Sequence, residues 1–258
     1  MTESKKAVII IGNWKMYKTI EESVDFINKL LPEVKEETSK IYLAVPFTLI
    51  KPVSDEAKDS NIVIGAQNMN DADEGAFTGE IAASMLVDAG AKFVILGHSE
   101  RREHFNETDA FINKKVKKAL SENLQPILCI GETFEAREAN RTQEILEEQL
   151  AKALSEITEE QMKSIIIGYE PLWAIGEAVP ATPEIAEETI KICRSFIEKT
   201  WGLAIADIVP IVYGGAVSPQ NSKLFLNQPD INGLLVGGAS LSVEAFSKII
   251  NYQEELVR

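Results

Sequence analysis

The feature that most constrains this fold is an alternation of short apolar runs with amphipathic segments, repeated along the whole chain. The apolar runs are rich in β-branched residues, and we predict eight strands, at residues 7–12, 41–45, 62–66, 93–96, 125–130, 164–169, 208–213 and 233–236. Between them, apolar residues recur at three- and four-residue spacing, which predicts helices at 20–31, 82–89, 110–122, 142–154, 183–199 and 243–253. Thr182 and Pro183 mark one helix start as N-cap and first helical residue.

Strands separated by helices pair in parallel through right-handed crossovers, and eight such units can close into a barrel. We therefore predict an α/β fold, a single-domain (β/α)8 barrel over residues 1–258, with a parallel eight-stranded barrel ringed by helices. A doubly wound open sheet is the alternative. It would require a nucleotide-binding fingerprint, and the sequence contains neither Gly-x-Gly-x-x-Gly nor the phosphate-loop motif.

The charge balance restricts the partners that the chain can bind. A net charge of −14 argues against nucleic acid and against an anionic membrane. The basic cluster Lys114, Lys115, Lys117 and Lys118 falls in a predicted helix, and we interpret it as a solvated face. No run approaches eighteen apolar residues, and the apolar stretch after Lys6 is too short for a signal peptide, so we expect a cytoplasmic protein.

Two residue types that often carry chemistry are scarce in this chain. Cys129 and Cys193 are the only cysteines, and both lie in apolar stretches, so we expect buried thiols rather than a disulfide framework. With two cysteines and two histidines, the composition does not favour a structural zinc site.

Polar residues and glycines follow five of the predicted strands directly. They are Asn13-Trp14-Lys15, the segment 97–102 with His98, Glu170-Pro171-Leu172-Trp173, Gly214-Gly215 and Gly237-Gly238. Each has an ordinary structural explanation when taken alone. In a barrel, however, all five meet at one mouth, which makes that mouth the predicted active site.

These residue types suit proton transfer beside a carbonyl group. Glu170 can remove a carbon-bound proton if a closed site excludes water and raises its basicity. His98 can donate a hydrogen bond to the carbonyl oxygen as a neutral imidazole, if residues 99–103 begin a helix whose N-terminus depresses its pKa. Lys15 can stabilise the developing negative charge, and the glycines allow backbone amides to approach a phosphate.

At these residues the chain resembles the triosephosphate isomerase family over essentially its whole length. The ordered motifs run from Gly12-Asn13-Trp14-Lys15 through 75–80, 97–102, 129–132 and 169–176 to 235–241. The resemblance implies a TIM barrel that interconverts dihydroxyacetone phosphate and D-glyceraldehyde 3-phosphate through an enediolate, in glycolysis and gluconeogenesis. It implies no metal and no organic cofactor.

The resemblance also assigns roles to individual residues. Glu170 corresponds to the catalytic base, His98 to the electrophile and Lys15 to the electrostatic stabiliser, with Asn13 and Lys15 binding substrate. Backbone amides hold the phosphate, at Gly176, Ala216, Gly237 and Gly238. Glu100, Thr78 and Tyr213 are supporting residues: Glu100 lies near the substrate-binding pair, Thr78 belongs to a loop that enters the partner subunit of a homodimer, and Tyr213 contacts the closed lid, residues 170–182.

Two departures from the family pattern concern the lid. Residues 177–180 differ from the usual lid tip, and Ala216 replaces a serine whose hydroxyl helps to hold the closed lid, so we expect the lid to close less securely.

Two alternative functions remain. One is another phosphate-binding barrel isomerase, which would have no reason to combine Asn13, Lys15, His98 and Glu170. The other is a ligand-binding or scaffolding descendant, which predicts the loss of Glu170 or His98.

Overall fold

The computed structural model describes residues 8–175 and 181–253, and within them eight parallel strands form a closed barrel in sequence order. The strands are β1 Ile9–Asn13, β2 Lys40–Val45, β3 Ile62–Ala66, β4 Phe93–Leu96, β5 Gln125–Ile130, β6 Ile166–Tyr169, β7 Ile211–Tyr213 and β8 Gly233–Val236. β1 pairs with both β2 and β8, which closes the barrel. The predicted barrel is confirmed, and the open-sheet alternative is wrong.

Helices follow the strands around the outside of the barrel. They are α1 Ile20–Leu30, α2 Ile50–Glu56, α3 Ala83–Asp88, α4 Ser99–His104, α5 Asp109–Ser121, α6 Phe134–Glu138, α7 Thr142–Ala153, α8 Glu159–Met162, α9 Pro183–Trp201, α10 Leu203–Ala206, α11 Ser222–Leu226 and α12 Val243–Ile250. Short 3-10 helices occupy Leu31–Glu33, Phe47–Leu49, Leu172–Ala174 and Gly238–Leu241.

Alternation along the strands divides the core into two layers. On β1, Ile9 and Ile11 belong to an apolar cluster with Phe93 and Cys129, whereas Ile10 belongs to the larger cluster that includes buried helix residues. Successive side chains of a strand point to opposite faces, so the first cluster fills the barrel and the second packs the helices on it. Both cysteines are buried, as predicted.

Several predicted boundaries are wrong by a few residues. β6 begins at Ile166 rather than 164, and β7 begins at Ile211 rather than 208, because Ile208 is half exposed and Pro210 has no N–H for a ladder hydrogen bond. α12 ends at Ile250 rather than 253, and α9 continues to Trp201 rather than ending at 199.

The position of Lys115 contradicts the prediction that the basic cluster is a solvated helix face. Its side chain is buried, and its Nζ lies 2.7 Å from Glu107 Oε1 and 2.9 Å from Asn68 Oδ1. Burial lowers the pKa of Lys115, but Glu107 acts in the opposite direction and compensates the buried charge. The basic cluster is therefore divided between the interior and the surface, where Lys118 pairs with Asp73 and Glu122.

Candidate active site

The carboxyl ends of the strands surround a cavity of about 320 Å³. It is lined by residues from all five predicted strand ends, namely Asn13, Lys15, His98, Glu170, Gly214, Gly215, Ala216, Gly237 and Gly238, together with Ile175, Val217, Leu235 and Ala239. Gly176 lies outside the described residues. The structure thus brings Glu170, His98, Lys15 and the glycine loops together around one cavity.

A larger groove of about 1340 Å³ lies beside this cavity, between Ser99, α6 and Trp173. Phe134, Ile145 and Leu172 line much of it, and neither Glu170 nor Lys15 does. The smaller cavity is therefore the candidate active site, because the groups that can move a proton face it.

Glu170 follows β6 and is almost fully buried, with 2% of its surface exposed. Its backbone N–H donates to Ile130 O, and a Cβ on Gly131 would lie 1.8 Å from Glu170 O, so only glycine permits this approach. Its carboxylate accepts from the Ser99 backbone N–H (3.0 Å) and the Ser99 hydroxyl (3.1 Å). The side chain is held against α4.

The surroundings of Glu170 keep it ionised. Burial acts to raise the pKa of Glu170, but the charge and hydrogen bond of His98, together with the Ser99 amide, outweigh burial and hold the pKa below its usual value. The raised basicity expected of a closed site is therefore not a property of this arrangement.

His98 follows β4 and is the N-cap of α4, which begins at Ser99 as predicted. Its Nδ1 accepts from the Glu100 backbone N–H at 3.3 Å, and its Nε2 lies 3.0 Å from Glu170 Oε1. A neutral imidazole with its proton on Nε2 satisfies both contacts.

The predicted depression of the His98 pKa is wrong for this arrangement. Burial acts to lower the pKa of His98, but the adjacent Glu170 carboxylate, with a smaller contribution from Glu100, raises it above its usual value. The helix N-terminus is present, and the neighbouring anion has the larger effect.

Lys15 is held at the mouth by a small polar network. Its backbone has φ of 51°, and its N–H donates to Asn13 Oδ1 at 3.0 Å. Its Nζ lies 2.6 Å from Glu100 Oε1. Gln67 Nε2 donates to Lys15 O (2.8 Å) and lies 3.3 Å from Asn13 Oδ1. The network fixes the loop that presents the lysine.

The sequence motifs assign no catalytic role to Gln67 or Ser99, although Gln67 contacts Lys15 and Ser99 contacts Glu170. Gln67 directly follows β3, so the strand-end rule that selected the other residues also selects it. Ser99 belongs to the segment 97–102, but its bond to Glu170 depends on a side-chain orientation that no motif encodes.

The glycine side of the cavity contains the 3-10 helix Gly238–Leu241. A Cβ on Gly238 would meet nothing within 4 Å, and one on Gly237 would lie 3.4 Å from Lys15 Cε. The Ser240 hydroxyl donates to Gly237 O at 2.7 Å and lies 3.4 Å from Asn13 O, which ties this loop to β1. The loop thus leaves open space next to a lysine.

Tyr213 and Thr78 do not line the cavity, although the Tyr213 hydroxyl packs against Gly215, which does. The Tyr213 ring stacks on Phe225, and its buried hydroxyl has no hydrogen-bond partner within residues 8–175 and 181–253. Thr78 is in an exposed loop. Across the part of the chain that the structure describes, no group of three or more His, Cys, Asp or Glu side chains could hold a metal ion.

A closed (β/α)8 barrel with a carboxylate, an imidazole, a lysine and glycine loops at one mouth defines the class of barrel isomerases that move a proton beside a carbonyl. A family model described as triosephosphate isomerase matches residues 8–253. The chain belongs to the triosephosphate isomerase family.

Individual relatives agree with this assignment. The chain is 53% identical over 251 residues to a triosephosphate isomerase of Protochlamydia amoebophila, covering 97% of this chain and 95% of that protein. It is 47% identical over 244 residues to one of Alkaliphilus oremlandii, covering 95% and 98%. The crystal structure of triosephosphate isomerase from Bartonella henselae superposes with a TM-score of 0.87 at 34% identity, covering 96% of this chain and 99% of that one.

Proposed function

We propose that this chain interconverts dihydroxyacetone phosphate and D-glyceraldehyde 3-phosphate in the 320 Å³ cavity, with Glu170, His98 and Lys15 as its catalytic residues. The observation that carries the proposal is the position of Glu170 beside His98 in a cavity that Lys15 and the glycine loops also line.

The carboxylate of Glu170 takes a proton from one substrate carbon and returns it to the neighbouring carbon. His98 donates a hydrogen bond from Nε2 to the carbonyl oxygen, which becomes the enediolate oxygen, and the Lys15 ammonium offsets the negative charge that forms. The proton that the adjacent substrate hydroxyl loses passes to that oxygen through His98, so one carbonyl and one hydroxyl group are present again at the end of the reaction. Glu170 must first leave Ser99, and the loss of the Ser99 and His98 contacts removes the interactions that lower its pKa. Its basicity then rises when substrate displaces water.

We propose that the substrate phosphate lies at the glycine side of the cavity. The backbone amides of Ala216, Gly237 and Gly238 are the proposed donors, with Gly176 as a further donor outside the described residues. Asn13 and Glu100 support the site by holding the Lys15 backbone and ammonium, respectively. The net charge of −14 makes such local attraction necessary for an anionic substrate.

A coupled assay of the purified protein with each triose phosphate tests the activity. Turnover in both directions, without added metal or cofactor, is expected. Turnover of neither compound would favour the ligand-binding or scaffolding alternative, and turnover of a different phosphorylated ketose or aldose alone would favour another barrel isomerase.

The remaining parts of the proposal concern the assembly and its setting. We propose one domain over residues 1–258 that forms a homodimer in the cytoplasm. Met16, Phe47, Phe77 and Phe105, which follow the first four strands, are all exposed, and a second subunit would cover them. Within the described residues no helix has the length and apolar character to span a membrane.

A further inference from the structure

Lys18 has a backbone conformation that residues with a side chain rarely adopt. Its φ is 75°, in the left-handed region that glycine and asparagine enter more easily. It precedes Thr19, the N-cap of α1, and follows the loop that carries Lys15. Glycine would fit this turn with less strain, so the contacts of the lysine side chain are the feature to explain.

The Lys18 side chain reaches across the rim of the barrel to the loop after β8. Its Nζ donates to Leu241 O at 3.0 Å and lies 4.6 Å from the centre of the Phe26 ring and 5.3 Å from that of Trp14. Burial lowers the pKa of Lys18, while the nearby Glu22 and Asp25 favour its charged form. The ammonium is thus a half-buried cation that the Leu241 carbonyl and two aromatic rings hold in place.

Leu241 is the last residue of the 3-10 helix Gly238–Leu241. The carbonyls at the end of a helix lack partners within it, and a cation there both satisfies one and opposes the partial negative charge. The other end of this short helix, at Gly237 and Gly238, lines the active-site cavity. One element therefore has Lys18 at its far end and the proposed phosphate position at its near end.

We propose that Lys18 is a positioning residue for phosphate binding, acting through Leu241 to fix the amides of Gly237 and Gly238 relative to Lys15. The inference rests on the proposed function. Lys18 and Lys15 belong to the same loop after β1, so the bond to Leu241 sets the separation between this loop and the loop after β8. A substrate phosphate contacts both loops, so its affinity depends on that separation.

The test compares Lys18→Met, Lys18→Gly and Lys18→Arg with the wild type. The methionine keeps an apolar stem over Trp14 and Phe26 without the donor, and the glycine removes the side chain while relieving the backbone strain. Lys29→Met is the matched control, because Lys29 and Lys18 line one surface groove of about 410 Å³ and Lys29 pairs only with the exposed Asp25 among the described residues. The measurements are KM, kcat and competitive inhibition by inorganic phosphate.

Loss of one hydrogen bond from a charged donor predicts that both the methionine and glycine variants raise the phosphate inhibition constant and KM by roughly three- to tenfold, with a smaller change in kcat. Arginine should restore both constants, and Lys29→Met should match the wild type. Phosphate inhibition within about twofold of wild type in both variants would overturn the inference alone. A fall in kcat without a change in phosphate inhibition would also overturn it. A wild-type protein without turnover would overturn the proposed function and this inference with it.

Discussion

At the scale of single residues, the candidate active site depends on the hydrogen-bonded pair of Glu170 and His98. Glu170 and His98 are both buried and lie 3.0 Å apart, and each moves the pKa of the other toward the charged pair. Ser99 binds the same carboxylate with its amide and hydroxyl. Substrate binding must exchange these contacts for contacts with the reacting carbons, so the position of the carboxylate is the sensitive quantity.

Glu170→Asp should preserve the fold and slow turnover. Shortening the side chain retracts the carboxylate by about 1 Å, and a misplacement of that size can cost about 100-fold in rate. Steady-state kinetics and circular dichroism measure the two effects. Glu244→Asp, on the exposed face of α12, is the control and should leave the rate unchanged. Near-normal turnover of Glu170→Asp with an intact spectrum would remove Glu170 from the role of base.

His98→Gln should change the pH dependence of stability. The raised pKa of His98 stabilises the fold below about pH 6.5, and this contribution is lost as the pH rises through the folded value. The lowered pKa of Glu170 stabilises above about pH 4.3, and its contribution is lost as the pH falls through the folded value. Both contributions are therefore present near pH 5.5.

Urea unfolding of wild type and His98→Gln at pH 5.5 and pH 9 measures this effect. The stability difference between the two proteins should be larger at pH 5.5, because a neutral amide can replace the hydrogen bond of His98 but not its charge. The variant should keep part of the activity, since glutamine still donates a hydrogen bond. A difference that is equal at both pH values would show that His98 and Glu170 are not coupled.

At the scale of elements, strand ends were the most informative part of the sequence. β3, β4, β5 and β8 have the bounds that composition predicted, and the residues after β1, β4 and β6 supply the lysine, imidazole and carboxylate. The start of β7 could not be predicted, because Ile208 and Val209 have strand-like composition but precede the residues that pair with β6. Short helices such as α10 escaped detection because four residues carry no measurable periodicity.

The hydroxyl of Tyr213 offers a test of the lid at this scale. It is buried and lacks a partner within residues 8–175 and 181–253, so Tyr213→Phe removes no hydrogen bond of this arrangement. Stability should be unchanged or slightly increased. If the hydroxyl holds the closed lid, as the family resemblance implies, the enediolate should escape more often in Tyr213→Phe and lose phosphate to form methylglyoxal.

Ala216→Ser is the reciprocal variant, because it restores the serine hydroxyl that the family pattern carries in the loop directly after Tyr213. We expect methylglyoxal per turnover to rise in Tyr213→Phe and to fall in Ala216→Ser, with thermal unfolding as the stability control. If neither variant changes that ratio, the hydroxyl positions have no part in retaining the enediolate, and the expectation of a less secure lid fails.

At the scale of the whole molecule, the chain is acidic but exposes large apolar side chains after the strands that carry the candidate active site. The net charge is −14, yet Met16 is 92% exposed and Phe105 is 62% exposed beside the same rim. Exposed apolar side chains of this size support the homodimer interface that we propose. Phe77, in the loop of Thr78, is exposed as well. Because the family resemblance implies that this loop enters the partner subunit, we expect assembly and activity to be linked.

Phe77→Asp should dissociate the proposed homodimer and lower activity. Phe77 is 54% exposed in the single chain, and a carboxylate there would be buried without a partner in the interface. The wild type should sediment as two 28.5 kDa subunits at micromolar concentration, and the variant as one.

Leu224→Asp is the matched control, because Leu224 is also 54% exposed but lies on α11, on a different part of the barrel. It should remain dimeric and fully active. If the loop of Thr78 supports Asn13 and His98 of the partner subunit, as the family resemblance implies, activity should fall with dissociation in Phe77→Asp. A wild type that sediments as a single subunit with full turnover would contradict both the dimer and this dependence.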